Sequence, residues 1–581
     1  MPSVPDTHTG PDVPSVQEVR AAMTAPGQLF EMDEIDVRGA RTRVWKNAPA
    51  TLRDILELSR GHGDKPFLVY EGERLSFAEH YARVAAFAHR LVGRYGIRKG
   101  DRVAIAMRNY PEWSVAFWAA AAIGAVVVPL NAWWTAAELE YGLRDSGARL
   151  LVADGERAER LAATLPGLDL AAALVVRAEG PPPAGTEPFD DTPASDTPTA
   201  DTPAGDPALP AITLDPEDDA TIFYTSGTTG RSKGALGTHR NIATNPVSLA
   251  YGMLLGGVRA GRTLEELLAP QPRVTLLSVP FFHATGCHSV LVTSALQGGT
   301  VVLMYKWDAE RALQLIEREK VTGFGGVPTM AWQVLTHPGF DKYDTSSLTG
   351  VSYGGAPAAP SLVDTIAERL PDRVPGNGYG LTETSSVTTY NAGVNYLERP
   401  DSVGPPVAVC DVKVVDPSGA ELPTGEVGEL LIKGPNVIKG YWGRPDATAQ
   451  SFDADGWFHS GDLARLDAAG FVYIVDRAKD MLIRGGENVY CAEVEAALYE
   501  HPAIADCGVI GVPHDVLGEE VGAVVRLRPG AALTTAELQE FLRPRIAAFK
   551  IPAHVWFREG ELPRNPGGKL LKTRLREELL S

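Results

Sequence analysis

The stretch 224–234 has the residue types of a phosphate-binding loop. It is rich in glycine, serine and threonine, contains one cation, Lys233, and follows the short apolar run 221–223, which predicts a buried strand. Backbone N–H groups, hydroxyls and a lysine ammonium are the groups that bind phosphate oxygens. The spacing differs from the common G-x-x-x-x-G-K-[ST] pattern. Taken alone, the stretch is equally consistent with a surface turn of small residues, so the rest of the chain must decide.

The cysteines and neighbouring histidines offer a second candidate chemistry. His283, Cys287 and His288 are close in sequence, but no further ligands follow at a suitable spacing, so a metal site is the minor interpretation. The four cysteines are widely spaced and form no CxxC pair. This pattern predicts reduced, mostly buried thiols, as in a cytoplasmic protein.

Size and charge exclude several classes of protein. A chain of 581 residues exceeds what one hydrophobic core holds, so two or more domains are expected. The formal net charge of −19 argues against nucleic acid or an anionic membrane as the main partner. The N-terminus lacks the pattern of a signal peptide. The longest apolar run, 115–130, is too short to span a bilayer, so we expect a soluble protein.

Helical and strand patterns alternate through most of the chain and must position any site. Helices are predicted at 51–58, 112–123, 309–319 and 361–370, and strands at 103–107, 126–129, 150–152, 274–279 and 300–304. This alternation predicts an α/β fold with parallel, helix-covered sheets.

Two segments lack periodicity and are predicted to be disordered or flexible. Residues 1–26 contain proline, aspartate and serine without an apolar pattern. Residues 178–218 are rich in proline, aspartate, threonine and alanine, and the part from Glu179 to Asp219 holds eleven acids with no lysine or arginine. Such a segment buries too little apolar surface to offset its ordering entropy, so we interpret it as a solvated insertion.

The character of the chain changes twice towards its end. Past residue 405, short strands separated by glycine and proline, such as 412–415 and 428–432, predict a β-rich subdomain. The last hundred residues predict a small α+β domain, with a helix at 492–500, strands at 507–512 and 521–527, and a capping box at 534–537. We therefore expect an N-terminal domain over 27–476 and a small mobile domain over 477–581.

Eight motifs in this order resemble those of the adenylate-forming superfamily, which includes acyl-CoA synthetases, adenylation domains and luciferases. The resemblance covers roughly residues 50 to 578, interrupted by the acidic insertion. Each motif is modest alone, but the set in this order is specific. The motifs are 224–234, 281–283, 354–357, 379–384, 456–462, 476–480, 485–488 and 566–569.

The resemblance implies a two-step reaction with ATP, Mg²⁺ and CoA. A carboxylate attacks the α-phosphate of ATP to give acyl-AMP and pyrophosphate, and a thiol then attacks the acyl-AMP and releases AMP. The residues implied in nucleotide binding are Thr225, Ser226, Gly227, Thr228, Thr229, Gly230, Lys233, Gly354, Gly355, Ala356, Asn377, Gly378, Tyr379, Gly380, Thr382, Asp462, Arg477 and Lys569.

The chemistry of the following side chains explains the roles that the resemblance implies. Thr382 offers a hydroxyl to a phosphate, and Glu383 offers the hard carboxylate oxygen that Mg²⁺ prefers. The resemblance implies that Tyr379 would present a flat face to adenine and that Asp462 would accept hydrogen bonds from the ribose hydroxyls. Arg477 adds a charge-assisted contact to ribose or phosphate.

The resemblance also implies catalysis by Lys569 and a change of domain orientation. Lys569 would bridge the attacking carboxylate and the α-phosphate and stabilise the charge of the transition state. His283 would lie at the mouth of the carboxylate pocket. Lys479 matches the hinge, and rotation about it would present Gly485, Gly486 and Glu487 to CoA. Asp476 departs from the pattern, because glycine is common there.

Several functions remain open at this stage. The leading hypothesis is an AMP-forming acyl-CoA ligase for a medium- or long-chain fatty acid, because the predicted pocket residues are small or apolar. Alternatives are an aryl or other small-acid CoA ligase, an adenylating ligase with a carrier-protein thiol or another acceptor, and a catalytically silent nucleotide-binding protein. Amino-acid activation is disfavoured, since 281–283 lacks an aspartate to pair with an α-amino group. An acyl carrier protein and a homodimer partner stay open.

Overall fold

The computed structural model describes residues 13–193, 208–225, 232–355, 361–371, 373–478, 480–485, 487–514, 516–565 and 568–580. The strands are β1 (Met32–Val37), β2 (Ala40–Trp45), β3 (Pro66–Tyr70), β4 (Glu73–Ser76), β5 (Arg102–Ala106), β6 (Val126–Pro129), β7 (Ala148–Asp154), β8 (Ala172–Val176), β9 (Glu187–Pro188), β10 (Asp219–Thr225), β11 (Lys233–Thr238), β12 (Val274–Leu277), β13 (Thr300–Leu303), β14 (Gly323–Gly326), β15 (Gly350–Gly354), β16 (Val374–Tyr379), β17 (Thr389–Ala392), β18 (Asp411–Val415), β19 (Gly428–Lys433), β20 (Gly440–Tyr441), β21 (Phe458–Leu466), β22 (Val472–Arg477), β23 (Leu482–Arg484), β24 (Glu487–Val489), β25 (Ile504–His514), β26 (Gly518–Leu527) and β27 (His554–Phe557). The α-helices are α1 (Val16–Met23), α2 (Leu52–Ser59), α3 (Phe77–Gly93), α4 (Pro111–Ala122), α5 (Ala136–Ser146), α6 (Gly155–Leu161), α7 (His239–Arg259), α8 (Leu264–Leu268), α9 (Thr293–Gln297), α10 (Ala309–Glu319), α11 (Pro328–Leu335), α12 (Ser361–Arg369), α13 (Val394–Glu398), α14 (Pro445–Ser451), α15 (Cys491–Tyr499), α16 (Thr535–Leu542) and α17 (Lys572–Leu580).

Two eight-stranded sheets organise the large N-terminal domain. The first has the order β20-β11-β10-β6-β5-β7-β8-β9, and the second has the order β17-β16-β15-β14-β12-β13-β3-β4. Strands in the middle of both sheets pair in parallel, whereas β11, β20, β17 and β4 add antiparallel edges. The predicted α/β architecture with helix-covered sheets is confirmed.

The main core lies between these sheets. Strands of both sheets contribute to one cluster with α2, α3 and α4. The α4 helix is apolar on every side, and Trp113, Phe117 and Trp118 are fully buried, because it has neighbours all around it. The amphipathic helices α5 and α6 cover the outer face of the first sheet, and α10, α11 and α12 cover that of the second.

Two smaller units follow the large sheets. The β-rich subdomain is a four-stranded sheet with the order β18-β19-β21-β22. The C-terminal domain is a five-stranded sheet built around β25 and β26, with α15 and α16 on one face and α17 on the other. The sequence predicts a β-rich subdomain and a small α+β domain, and the structure contains both.

The predicted disorder of residues 1–26 is wrong for part of that range. Residues 16–23 form α1, which Ser15 and Glu18 cap with a capping box. Val16, Val19 and Met23 are buried in a cluster that includes Tyr251 of α7. The sequence already shows the apolar spacing and the cap of this helix. It does not show the surface on which the helix packs, because Tyr251 lies more than two hundred residues further along the chain.

The predicted flexible insertion, 178–218, is wrong at its two flanks. Within it, β9 adds an edge strand to the first sheet. The carboxylate of Asp191 is buried and lies 2.6 Å from a guanidinium nitrogen of Arg83 on α3. Leu209 is buried in the main core. Residues 194–207 lie outside the described part, so the prediction is not tested there.

Within the described part of the chain, no helix is both long enough and apolar enough to cross a bilayer.

Candidate active site

The two ends of the phosphate loop lie at the top of a hairpin in the first sheet. β10 and β11 pair antiparallel, with Thr225 opposite Lys233. The hydroxyl of Thr225 donates to the carbonyl of Lys233 at 3.4 Å. The ammonium of Lys233 lies 5.1 Å from the centre of the Tyr441 ring. The predicted ligands Ser226, Gly227, Thr228, Thr229 and Gly230 lie outside the described residues.

Glu383 is held beside that loop. It lies with Thr382 in a 3₁₀ turn that follows β16. The Tyr441 hydroxyl donates to Glu383 Oε1 at 2.9 Å, and the Glu383 carbonyl accepts from the Ile438 N–H at 2.9 Å. Burial raises the pKa of the Glu383 carboxyl, although the Tyr441 hydrogen bond opposes that shift. Tyr441 therefore links the phosphate loop to the carboxylate.

Glu383 has the chemistry of a magnesium ligand. Mg²⁺ is commonly held by one or two carboxylates together with substrate phosphates, and seldom by an all-protein cage. Among the described residues, no group of three or more His, Cys, Asp or Glu side chains is placed to hold a metal. Glu383 would thus hold Mg²⁺ jointly with the phosphates bound by the loop 224–234.

A second polar unit joins the second large sheet to the β-rich subdomain. The Tyr379 hydroxyl donates to Asp462 Oδ2 at 2.7 Å, and Arg477 Nε lies 3.1 Å from Asp462 Oδ1. Asp462 and Arg477 face each other across β21 and β22. Burial raises the pKa of Tyr379, so its hydroxyl remains a donor. Tyr379 and Arg477 therefore orient the two oxygens of the Asp462 carboxylate.

Glycines beside this unit allow backbone segments to approach closely. A Cβ on Gly354 would collide with the Gly378 carbonyl across β15 and β16, and one on Gly380 would collide with the Ser386 carbonyl. Gly355 has a φ of +74°, in the region that favours glycine. Asn377 is buried on β16. Ala356 lies outside the described residues.

His283 lies at the start of an unusual helical segment. Its Nε2 is buried without a hydrogen-bond partner, and burial lowers its pKa to about 4, so the ring is neutral near pH 7. Residues Thr285–Val292 form a π-helix, a conformation often found at functional sites. Gly286 is required there because a Cβ would collide with the Pro280 carbonyl.

The C-terminal domain carries Lys569 towards the large domain. The Lys569 N–H donates to Asn565 Oδ1 at 2.9 Å, and Arg564 donates to the Gly568 carbonyl at 2.7 Å. A Cβ on Gly568 would lie 2.6 Å from Cγ2 of Val327, which follows β14 in the large domain. The lysine loop therefore packs on the large domain in this structure.

The predicted CoA-binding hairpin faces solvent in the same orientation. Gly485 and Glu487, in the hairpin of β23 and β24, are exposed. Gly486 and the predicted hinge residue Lys479 lie outside the described residues. Asp476, at the end of β22, accepts from the Ala492 N–H of α15 at 3.4 Å, which ties the large domain to the small one.

Comparison with known protein families shows the family to which this chain belongs. The profile described as "AMP-binding enzyme" matches residues 57–442, and the profile "AMP-binding enzyme C-terminal domain" matches residues 493–569. The chain belongs to the AMP-binding enzyme family.

Individual relatives of this AMP-binding enzyme carry several names. It is 40% identical to "Feruloyl-CoA synthase" of Amycolatopsis sp, over 87% of this chain and 94% of the relative. It is 36% identical to "Long-chain-fatty-acid--CoA ligase" of Bacillus subtilis, over 91% of this chain and 94% of the relative. The solved structure of the anthranilate CoA ligase AuaEII in complex with anthranoyl-AMP has a TM-score of 0.80 at 26% identity, covering 91% of this chain and 97% of that one.

Two residues that hold the Glu383 turn are not marked by any motif in the sequence. Tyr441 was not singled out, and its aromatic dipeptide with Trp442 is the only local signal. Asn436 was missed as well, although its Nδ2 donates to the carbonyls of Thr384 at 3.1 Å and Val387 at 2.9 Å. Asn436 lies in the segment between β19 and β20, and Tyr441 lies on β20 at the edge of the first sheet. Their contacts to the turn at 382–387 join residues far apart in the chain, and no periodicity marks such contacts.

Proposed function

We propose that this AMP-binding enzyme is an ATP-dependent acid–thiol ligase that forms an acyl-AMP, releases pyrophosphate and transfers the acyl group to CoA with release of AMP. The convergence of Lys233, Tyr441 and Glu383 supports this proposal most strongly. It brings a phosphate loop and a magnesium-type carboxylate into contact. The relatives named as CoA ligases support the thiol acceptor.

We assign the first step to groups from both domains. Asp462, oriented by Tyr379 and Arg477, holds the ribose, and the loop 224–234 holds the β- and γ-phosphates that leave as pyrophosphate. Glu383 would hold Mg²⁺, which would supply positive charge to the phosphates. Lys569 approaches from the small domain and stabilises the charge that develops as the carboxylate oxygen bonds to the α-phosphorus.

In the second step, a different surface of the small domain must face the large domain. The thiol sulfur of CoA attacks the acyl carbonyl carbon, the bond to AMP breaks, and the thiol proton leaves to solvent or base. The hairpin of Gly485 and Glu487, exposed here, would line the CoA channel after rotation near Lys479.

The acid is hydrophobic, and two classes of it have support. An aromatic acid is favoured by the resemblance to feruloyl-CoA synthase. A medium- or long-chain fatty acid is the second candidate, favoured by the resemblance to the long-chain ligase of Bacillus subtilis.

A panel of carboxylic acids tests this function. The purified full chain is incubated with ATP, Mg²⁺ and one acid from each class, and pyrophosphate is measured with and without CoA. We expect pyrophosphate release that depends on the acid, and AMP with acyl-CoA only when CoA is present. ATP turnover without an acid requirement, or turnover that CoA never alters, would contradict the ligase assignment.

A further inference from the structure

A carboxylate that takes no part in either proposed step lies beside the start of the phosphate loop. Asp145 is the last residue but one of α5, and its side chain is only 10% exposed. Its Oδ2 accepts from the Tyr224 hydroxyl at 2.8 Å, and Tyr224 is the first residue of the loop 224–234. Asp145 therefore holds the end of β10 from which the loop departs.

The other end of the loop is held by the same helix. The hydroxyl of Tyr141, one turn before Asp145 on α5, donates to the Ser232 carbonyl at 3.0 Å. Ser232 is the residue before β11, where the loop ends. Residues four positions apart lie on one face of a helix, so a single face of α5 contacts both ends. The separation of the two ends is thus set by α5 as well as by the pairing of β10 with β11.

Asp145 also contacts the segment that follows Tyr441. Its Oδ1 accepts from the Arg444 guanidinium at 2.6 Å, and its carbonyl accepts from the Trp442 indole N–H at 3.1 Å. The backbone N–H of Trp442 donates to a carbonyl of β11 at 2.8 Å. Because Tyr441 precedes Trp442 and holds Glu383, one aspartate connects the phosphate loop with the proposed magnesium ligand.

Helix stability does not explain an aspartate at this position. The C-terminal end of a helix carries partial negative charge and repels a carboxylate in its last turn. The guanidinium of Arg102 already caps this helix end, since it donates to two carbonyls there at 2.9 and 2.7 Å. The guanidinium of Arg444 is about half exposed, and ion pairs with an exposed partner contribute little to stability. The contact that remains to explain Asp145 is the one with Tyr224.

Tyr224 is fixed on α5 and remains a hydrogen-bond donor. Its ring packs edge-on against Trp134 and Tyr141, with 5.7 and 6.2 Å between ring centres. Burial, together with the nearby charge of Asp145, raises the pKa of Tyr224 well above its ordinary value, so the hydroxyl keeps its proton near pH 7. The loop therefore begins from a defined place on the helix.

We infer that Asp145 is a positioning residue for binding of the β- and γ-phosphates of ATP. It acts through Tyr224 and through residues 442–444, which place the start of the loop and the strand that carries Tyr441. This inference rests on the proposed ligase function and deepens its first step. A displacement of about 1 Å at such a site costs as much as about 10² in rate. AMP carries neither of the two phosphates, so its binding should not depend on Asp145.

Binding of ATP and of AMP to the full chain tests the inference. Dissociation constants for ATP with Mg²⁺ and for AMP are measured by titration calorimetry without any carboxylic acid, so that no acyl-AMP forms. For Asp145→Ala we expect the constant for ATP to rise about tenfold and that for AMP to stay within about twofold, because the hydrogen bond to a charged group that is lost positions only the loop. An equal loss for both nucleotides would show general damage to the site and would overturn the inference.

Two further variants locate the effect. Tyr224→Phe removes only the hydroxyl and should weaken ATP binding with the same selectivity, which keeps the test decisive if Asp145→Ala folds poorly. The effects of Tyr224→Phe and Asp145→Ala should not add in a combined variant, because both remove the same hydrogen bond. Glu140→Ala deletes a carboxylate of the same helix that bonds to Arg144 at 2.8 Å, and should bind ATP as the wild type does. A similar loss in Glu140→Ala would attribute the effect to α5 as a whole and contradict the role of Asp145.

Steady-state kinetics give a second measurement and separate the inference from the ligase function. With an acid that the panel shows to be a substrate, Asp145→Ala should raise KM for ATP and leave KM for the acid unchanged. A lower kcat with an unchanged KM for ATP would indicate a smaller active fraction and would overturn the positioning role. If the wild type binds ATP but releases no pyrophosphate with any acid, the ligase function fails, and the comparison of ATP with AMP still decides the role of Asp145.

Discussion

Tyr441 and Glu383 lie 58 positions apart in the chain and share a hydrogen bond of 2.9 Å. At the scale of single residues, contacts such as this one show which side chains orient the Glu383 carboxylate, and the motifs do not. Glu383 belongs to a motif that the sequence displays, whereas Tyr441 holds its carboxylate and touches Lys233 without any such signature. The chemistry of the carboxylate depends on both.

The Tyr441 contact predicts a pH effect. The hydrogen bond favours ionised Glu383, so Tyr441→Phe should raise the pKa of Glu383 further above its usual range. Mg²⁺ requires the carboxylate, so activity falls as pH drops through that pKa. The acid limb of the pH–rate profile should therefore move upward, by about one to two pH units for a hydrogen bond to a charged group. An unshifted limb with unchanged Mg²⁺ dependence would refute the assigned contact.

The role proposed for Lys569 predicts that its substitution affects the two half-reactions differently. Lys569→Ala should slow acyl-AMP formation by about 10²–10³, which is typical for loss of a preorganised electrostatic contact. It should spare thioester formation from supplied acyl-AMP, because that step does not use the lysine. Pyrophosphate release and acyl-CoA formation are measured separately, with Lys342→Ala, an exposed lysine, as control. Equal loss of both half-reactions would rule out the specific role.

At the scale of elements, packing partners decide which segments are ordered. The flanks of the acidic insertion are held by neighbouring residues of α3: His89 bonds to the Ala208 carbonyl at 2.9 Å, and Arg90 bonds to the Thr192 carbonyl at 2.9 Å. Both ends therefore return to the same turn of one helix. Composition alone predicted flexibility throughout, since it does not report the basic residues that α3 supplies.

This arrangement predicts which part of the insertion is dispensable. Replacing residues 195–206 with a short Gly/Ser linker should leave activity and melting temperature nearly unchanged, because the two ends lie on one helical turn. Asp191→Ala should lower the free energy of unfolding by about 1–3 kcal/mol, because it leaves the partly buried guanidinium of Arg83 without its carboxylate partner. Urea unfolding of both variants checks this. A deletion that unfolds the protein would contradict it.

Asp476 predicts a stability change with pH. Burial raises its pKa to about 6, against partial compensation by Lys572, with Glu495 and Asp480 adding repulsion. The native state then binds a proton that the unfolded state has lost, so stability falls as pH rises from about 4 to 6. Asp476→Asn should lack this part of the slope and be at least as stable as wild type at pH 7. A less stable variant at pH 7 would show that attraction to Lys572 prevails.

At the scale of the whole molecule, the proposed two-step reaction needs two orientations of the small domain. The lysine loop packs on Val327, the hairpin of Gly485 is exposed, and Asp476 contacts α15 across the domain boundary. We propose that this orientation serves the first half-reaction and that the second requires these contacts to break.

The close approach of Gly568 to Val327 predicts how the orientation of the small domain affects activity. Gly568→Ala would place a Cβ 2.6 Å from Val327 and strain a φ of +80°, so the loop should no longer seat on the large domain. Acyl-AMP formation should fall at least tenfold, with thioester formation from supplied acyl-AMP largely kept. Gly530→Ala is the matched control, because it has a φ of +78° but no neighbour within 4 Å. Similar effects of both substitutions would attribute the loss to backbone strain alone.

Much of the fold could be predicted because its signals are local. The helix Ala309–Glu319 has the predicted bounds, and so does the strand Val126–Pro129, since apolar periodicity and caps act over a few residues. The order of the motifs likewise identified the family and its nucleotide chemistry. The exceptions are α1 and the flanks of the insertion, which depend on distant surfaces.

Residue types and their order determined, without any structure, that this chain carries the groups for adenylation. Motif residues such as Glu383, Asp462 and Lys569 need only be present at suitable intervals to be recognised. Tertiary structure decided which groups meet: Tyr441 with Glu383, and Gly568 with Val327. The physical reason is that those contacts join elements far apart in the chain, and their geometry follows from packing of whole sheets and domains.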